Sequence, residues 1–252
     1  MTEILSIIFH IFFLTVISLL PNRIFFFTKN EDLYIPISIV LLSFALLLLS
    51  FLSIDLKIVK YFIWTIFFIN LFFIFTEKKY LYLNNIKFFF FFLIVLVLSI
   101  DLSVNLKLGW DAQNYWIIKS LNFVNGDSVY NLKNLPRPDY PYFGSYLWAV
   151  FSSISFLGYE YFGRIFYIYL FCVSLFTICN LLEYKNNIKI LSFFLLIIIF
   201  NNDFIFQGYQ ETLIFSYAIF VSYLVYEFRN SFADKKIITL ILINFFLLFW
   251  IK

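Results

Sequence analysis

The chain has 252 residues, of which 63% are apolar and only 13% charged, and its mean hydropathy is +0.92. A soluble domain is nearer half apolar and a quarter charged, so this composition leaves too few polar residues to cover a water-soluble surface. The net charge of +3 comes from basic residues scattered over short stretches; with no Lys/Arg block or basic stripe, no nucleic-acid partner is indicated.

The first apolar block, Ile4–Leu20, is preceded only by Glu3 and followed by Pro21-Asn22-Arg23. It has no basic n-region and no small-x-small cleavage site, so it reads as a first membrane helix and not as a removable signal. His10, the single histidine, has no His or Cys at metal-site spacing and is read as a packing residue. Three more apolar blocks follow at Ile35–Ile54, Ile58–Phe75 and Phe88–Leu106. After a polar, turn-rich stretch come Tyr142–Leu157, Gly163–Leu182, Ile188–Phe200, Thr212–Phe228 and Ile237–Ile251. Aromatic and β-branched residues abound, which favours strands on propensity. Block length decides otherwise, because membrane strands are short and alternate apolar with polar. Cys172 and Cys179 lie seven residues apart, about 10 Å of helical rise, too far for a disulfide.

The reading is an all-α, polytopic helical membrane protein with about eight transmembrane helices plus one interfacial helix. It forms a single membrane domain over 1–252. Four helices occupy 1–106, a long outer loop with an interfacial helix at 142–157 occupies 107–162, and four further helices occupy 163–252. Basic residues set the orientation, since short cytoplasmic loops collect Lys and Arg. If every block crosses, six basic residues fall inside and seven outside. If Tyr142–Leu157 instead lies in the interface or re-enters, ten fall inside (Arg23, Lys29, Lys78, Lys79, Lys87, Lys185, Lys189, Arg229, Lys235, Lys236) and only Lys57 and Lys60 remain in short outer loops. This second topology puts the long loop and 201–211 on one outer face. Tyr142–Leu157 follows Pro141, as a helix start would, and mixes aromatic with hydroxyl residues, which suits an interfacial helix.

The long loop is where chemistry is expected. In Gly109-Trp110-Asp111-Ala112-Gln113-Asn114-Tyr115-Trp116-Ile117-Ile118-Lys119, a regular helix would align Asp111, Tyr115 and Lys119 on one stripe. An acid, a phenol and a cation together suit an anionic head group. The plainer alternative makes Asp111 a helix N-cap and Trp110 and Trp116 belt aromatics.

Trp110-Asp111-Ala112, Trp116-Ile117-Ile118-Lys119 and Pro138-Asp139-Tyr140-Pro141, with Gly208-Tyr209-Gln210-Glu211 further on, resemble elements of the bacterial GT-C glycosyltransferases. These membrane enzymes depend on polyprenyl-phosphate sugars and are related to protein mannosyltransferases and aminoarabinose transferases. The resemblance covers 109–252. It departs from the pattern at Arg137, where the family has His, and at Glu211, which replaces Asp and is not followed by Pro. The family continues past this point with a Lys-x-Glu-Gly element, so the chain is expected to be the N-terminal portion of such an enzyme.

The resemblance implies an outward-facing site in the inner (cell) membrane, multi-pass, with Asp111 as catalytic acid/base group and Glu211 as second carboxylate. Both could hold a divalent metal, Mg or Mn, through oxygen ligands. Lys119, Arg137 and Arg164 would offset donor phosphate charge. Tyr115, Trp116 and Tyr140 would stack on sugar or pack on the prenyl chain. Asp139 falls in the same substrate-binding element, though its residue type also suits fixing the Pro-rich turn. Expected partners are a polyprenyl-phosphate sugar donor, the bilayer, and a glycan, lipid or protein acceptor. Two other functions fit the composition, a lipid-linked glycan transporter or flippase and an inactive truncated relative. Helix interiors nearly free of charge argue against a transport pathway.

Overall fold

A computed structural model of the chain describes residues 2–19, 34–76, 86–180, 186–200, 203–229 and 235–251, and every regular element among them is helical. Four long helices come first: α1 (Thr2–Ile17), α2 (Tyr34–Phe51), α3 (Leu56–Thr76) and α4 (Ile86–Val104). The loop that follows carries α5 (Ile117–Val124), a 3-10 turn (Val129–Asn134) and α6 (Phe143–Ile154). Then come α7 (Tyr161–Asn180), α8 (Asn186–Phe200), a single turn Asp203–Phe206, α9 (Glu211–Glu227) and α10 (Lys235–Ile251). Each long helix coincides with an apolar block of the sequence, displaced by a few residues at its ends.

The central element is α7, which packs against α1, α2, α4, α6, α8 and α9 and is almost wholly buried. Cys172 and Cys179 are free, buried thiols on it. His10 is buried against the edge of Phe162, with ring centroids 5.1 Å apart, which fits the packing role. By contrast α3 and α4 expose apolar outer faces, including Phe68, Phe72, Phe75, Phe89 and Val97. Apolar surface of that extent is a liability in water and an asset in lipid.

Three helices, α3, α4 and α7, are long and apolar enough to cross a membrane. The expected count of about eight crossings is not reached on that criterion. The helices α1, α2, α8, α9 and α10 run to only 15–18 residues. Seventeen residues rise about 25 Å, short of a hydrocarbon core of about 30 Å.

The expected interfacial helix also takes a different form. Here α6 spans twelve residues, about 18 Å of rise, so it is too short to cross, and the chain bends away at 155–157. Yet it does not lie on a surface. Eleven of its twelve residues are buried, and it is enclosed by α2, α3, α5, α7 and α10. It is a plug inside the bundle.

Polar contacts gather several chain segments at one end of the bundle. Tyr161 Oη donates to Glu3 Oε1 (2.6 Å), so the starts of α1 and α7 are neighbours. The Ser50 and Tyr142 hydroxyls bond at 3.0 Å, bringing the end of α2 to the start of α6. Gly109 N–H donates to Gln207 O at 2.9 Å, joining the long loop to the segment before α9. That juxtaposition is the one expected when 142–157 does not cross. Of the ten basic residues assigned to the opposite face, Arg23, Lys29, Lys78, Lys79 and Lys185 lie outside the described residues.

Candidate functional site

Two elbows meet at this end. The first is Gly109–Ala112, where the chain leaves the extended stretch after α4 and starts a helix. The second is Gln207–Glu211, where it turns through Gly208 (φ +78°) into α9. Beyond the Gly109–Gln207 backbone bond, they fit because both carry glycine. A Cβ on Gly109 would lie 2.1 Å from the Tyr209 ring, and one on Gly208 would lie 2.7 Å from Trp148 and 3.4 Å from Ala112 Cβ. The structure therefore brings together two motifs that lie about a hundred positions apart in the sequence.

Asp111 sits half-exposed in the first elbow and Glu211 is exposed at the first turn of α9. Asp111 has helical dihedrals (φ −65°, ψ −36°) and makes no capping hydrogen bond. The N-cap reading is therefore overturned, and its carboxylate has no hydrogen-bond or ion-pair partner among the described residues. Among those residues no group of three or more His, Cys, Asp or Glu lies together. Asp111 and Glu211 stand on adjoining elbows, and no larger set of candidate metal donors gathers around them among the described residues.

The single Asp111/Tyr115/Lys119 stripe does not form. Ala112–Trp116 is a π turn, with Ile117 N–H reaching back five residues to Ala112 O. The wider turn alters the angular register between Asp111 and Lys119, and such bulges recur at functional sites. Lys119 is turned inward and fully buried, donating to Arg137 O (2.8 Å) and Tyr140 O (2.7 Å). Burial pushes its pKa down to about 8, partly opposed by Asp139 nearby. Its ammonium fixes the Pro136–Pro141 turn from within.

Around it the aromatics form a continuous platform. Trp116 stacks on Tyr140 (centroids 5.7 Å apart), Tyr115 meets Tyr140 edge-on (5.5 Å) and Trp110 meets Tyr115 edge-on (5.6 Å). Lys119 Nζ lies 5.6 Å from the Trp116 ring centroid, and the Arg137 guanidinium 5.5 Å from that of Tyr140. Arg137 is exposed, with φ +50°, an unusual conformation for a residue with a Cβ. A hydrogen bond to Tyr115, and then the fields of Tyr140 and Asp139, raise its pKa further. Asp139 is exposed beside these two cations. Strain at an exposed cation on an aromatic surface is the kind of local cost found at ligand-binding sites.

Arg164 is fully buried beneath the elbows and makes four hydrogen bonds. Two go to Glu160, from Nε to Oε2 (3.2 Å) and from a terminal nitrogen to Oε1. Two go to backbone carbonyls, Lys107 O (3.1 Å) and Phe206 O (2.9 Å). Its guanidinium thus ties both elbows to α7 and stands in the framework, apart from the exposed Arg137. Trp148 completes the cradle, donating its indole N–H to Glu160 O at 2.9 Å. Glu160 and Gln210 escaped the sequence reading. The Glu160/Arg164 spacing of four is a helical ion-pair signal that was available. Buried Gln210, bonded to Tyr167 Oη at 3.1 Å, carried none.

Compared with protein-family models, curated proteins and solved structures, the chain finds no match.

Proposed function

We propose that this chain is the membrane-embedded catalytic portion of a GT-C-type glycosyltransferase that moves a sugar from a polyprenyl-phosphate donor to an envelope glycan, lipid or protein. One observation carries the reading: the Gly109–Ala112 and Gln207–Glu211 elbows are docked together, and each presents a carboxylate with no hydrogen-bond or ion-pair partner among the described residues. Asp111 takes the proton of the acceptor hydroxyl, and the acceptor oxygen bonds to the anomeric carbon. The bond from that carbon to the phosphate oxygen breaks, and the electron pair leaves with polyprenyl phosphate. A positioned base contributes about 10²–10⁴-fold to such a step. Glu211 and Asp111 would share a Mg²⁺ or Mn²⁺ ion, which neutralises phosphate charge when bound. The half-buried Tyr115 and Tyr140 rings, backed by buried Trp116, offer a stacking face for sugar or prenyl chain, and exposed Arg137 offers the phosphate a cation.

In this reading the shorter apolar helices also cross, with local thinning of the bilayer meeting their length. That gives about eight crossings, with α6 held as a plug and the elbow end facing outward from the inner membrane.

The test uses the full chain, together with any C-terminal continuation encoded by its gene, in membranes supplied with radiolabelled polyprenyl-phosphate sugars. Asp111→Asn should lower release of polyprenyl phosphate about 10²-fold or more, with thermal unfolding unchanged. Undiminished turnover in that variant would remove Asp111 from the chemistry.

A further inference from the structure

A cleft of about 420 Å³ opens at the same end of the bundle, between the start of α3 and the end of α5. Asp55, Lys57 and Lys60 line it on one side, Asn125 and Gly126 on another, and Ser153 of α6 at its back. None of these residues belongs to the elbows or to the aromatic platform. The size falls within the range of about 300–1,000 Å³ usual for small-ligand sites.

The charge in the cleft is unbalanced. Two lysines and one aspartate line it, and Asp55 Oδ1 accepts the Lys57 backbone N–H at 2.7 Å. Neither Lys57 nor Lys60 has an ion-pair partner among the described residues. Gly126 (φ +92°) leaves the far wall open, with nothing within 4 Å of where a Cβ would stand. At its edge the surface turns apolar. Val124 of α5 lines the cleft, and with it Leu121 on α5 and Ile58, Tyr61 and Phe62 on α3 are all exposed. A cationic pocket edged by exposed hydrocarbon on a lipid-facing helix matches an amphiphile with an anionic head.

We propose that this cleft binds the phosphate headgroup of an anionic phospholipid, with the acyl chains lying along the exposed faces of α3 and α5. The site does not depend on glycosyl transfer and stands or falls separately from it. Lys57 and Lys60 supply the attraction, and the side-chain amide of Asn125 supplies a neutral donor for headgroup oxygens. Each lysine near a lipid surface contributes about 1 kcal/mol, so the pair should favour an anionic over a zwitterionic lipid about 30-fold.

The full chain, purified in neutral detergent, is exchanged with phosphatidylglycerol or phosphatidylcholine at equal mole fraction, and retained lipid is counted by native mass spectrometry. Wild type should retain phosphatidylglycerol about 30-fold better, and Lys57→Gln with Lys60→Gln should bring the ratio near one. Lys107→Gln with Lys133→Gln, which removes two exposed cations of the long loop, should leave it unchanged. Tryptophan fluorescence establishes that each variant is folded. An equal loss in the Lys107/Lys133 variant would reduce the effect to diffuse surface charge and overturn the site. Retained selectivity in the Lys57/Lys60 variant would overturn it too. Glycerol phosphate bound alone, with the same lysine dependence, would assign the cleft to a soluble phosphate ester and end the lipid reading.

Discussion

Gly109→Ala should change the sign of its effect according to what stands at position 209. Taken alone, Gly→Ala at a position with ordinary dihedrals stabilises a protein by about 0.4–1 kcal/mol, because the unfolded chain loses freedom. Gly109 is not among the residues with positive φ, so that gain is available. Against it stands the Tyr209 ring, 2.1–2.5 Å from where the new methyl would sit. The ring or the elbow must shift, and overpacking of this kind costs about 1–3 kcal/mol. The steric term wins, so Gly109→Ala should destabilise. In a Tyr209→Ala background the obstruction is gone and the same change should be neutral or stabilising. The unfolded-state gain cancels between the two backgrounds, so the coupling should equal the steric term, about 1–3 kcal/mol. Thermal unfolding of all four proteins in one detergent, followed by tryptophan emission, closes the cycle. Additive effects of the two changes would mean that the elbows do not dock through this contact.

Asp111→Ala, like Asp111→Asn, should alter stability by no more than about 0.5 kcal/mol, because the carboxylate caps nothing; a loss near 1 kcal/mol, the usual cost of a lost N-cap, would restore the capping role. Arg164→Met should cost about 3–5 kcal/mol, the scale for stranding a buried pair, whereas Glu160→Gln, at a partly exposed site, should cost less; equal stability of Arg164→Met and wild type would contradict the framework role. For Lys119, the folded pKa of about 8 lies below the unfolded value of 10.5, so between those limits the unfolded chain binds more protons and stability rises with pH. The difference in melting temperature between wild type and Lys119→Met should accordingly shift in favour of wild type from pH 8 to pH 10, and a flat difference would show that Lys119 is not desolvated. With Cys172 and Cys179 replaced, an impermeant thiol reagent added outside intact cells should label a cysteine at exposed position 127 and not one at exposed position 186; labelling of 186 would mean that 142–157 crosses the membrane.

The helices were legible because burial in lipid or in a bundle demands long apolar blocks, and nothing else in the chain supplies them. The short length of the 142–157 element was legible from its Pro141 start and its sixteen apolar-to-hydroxyl residues. Its enclosure by five neighbouring helices was not, since an aromatic and serine-rich helix looks alike at an interface and inside a polar-lined bundle. Both elbows were picked out by residue type, but the reason they meet is two glycines and a tyrosine acting across about a hundred residues, which local pattern cannot reveal. The π turn at Ala112–Trp116 defeated the stripe prediction for a similar reason. A periodicity argument assumes one helical pitch, and here the pitch changes within five residues. Lys119 reads as a phosphate-binding cation in sequence, but its carbonyl partners, Arg137 O and Tyr140 O, lie within a proline-rich turn that folds back over it.

The grip of Arg164 also orders events as the protein is made. Its partner Glu160 lies one helical turn away and Lys107 has already left the ribosome, so these three bonds can form as soon as α7 exists. The fourth partner, Phe206 O, emerges only after α8 has been synthesised. Until then Arg164 enters the bundle as a charge-neutral pair with one hydrogen-bonding direction unfilled. The docking of the second elbow fills it, so the two elbows become neighbours at a late stage of biogenesis, and a nascent chain arrested before residue 206 would leave the first elbow without its partner.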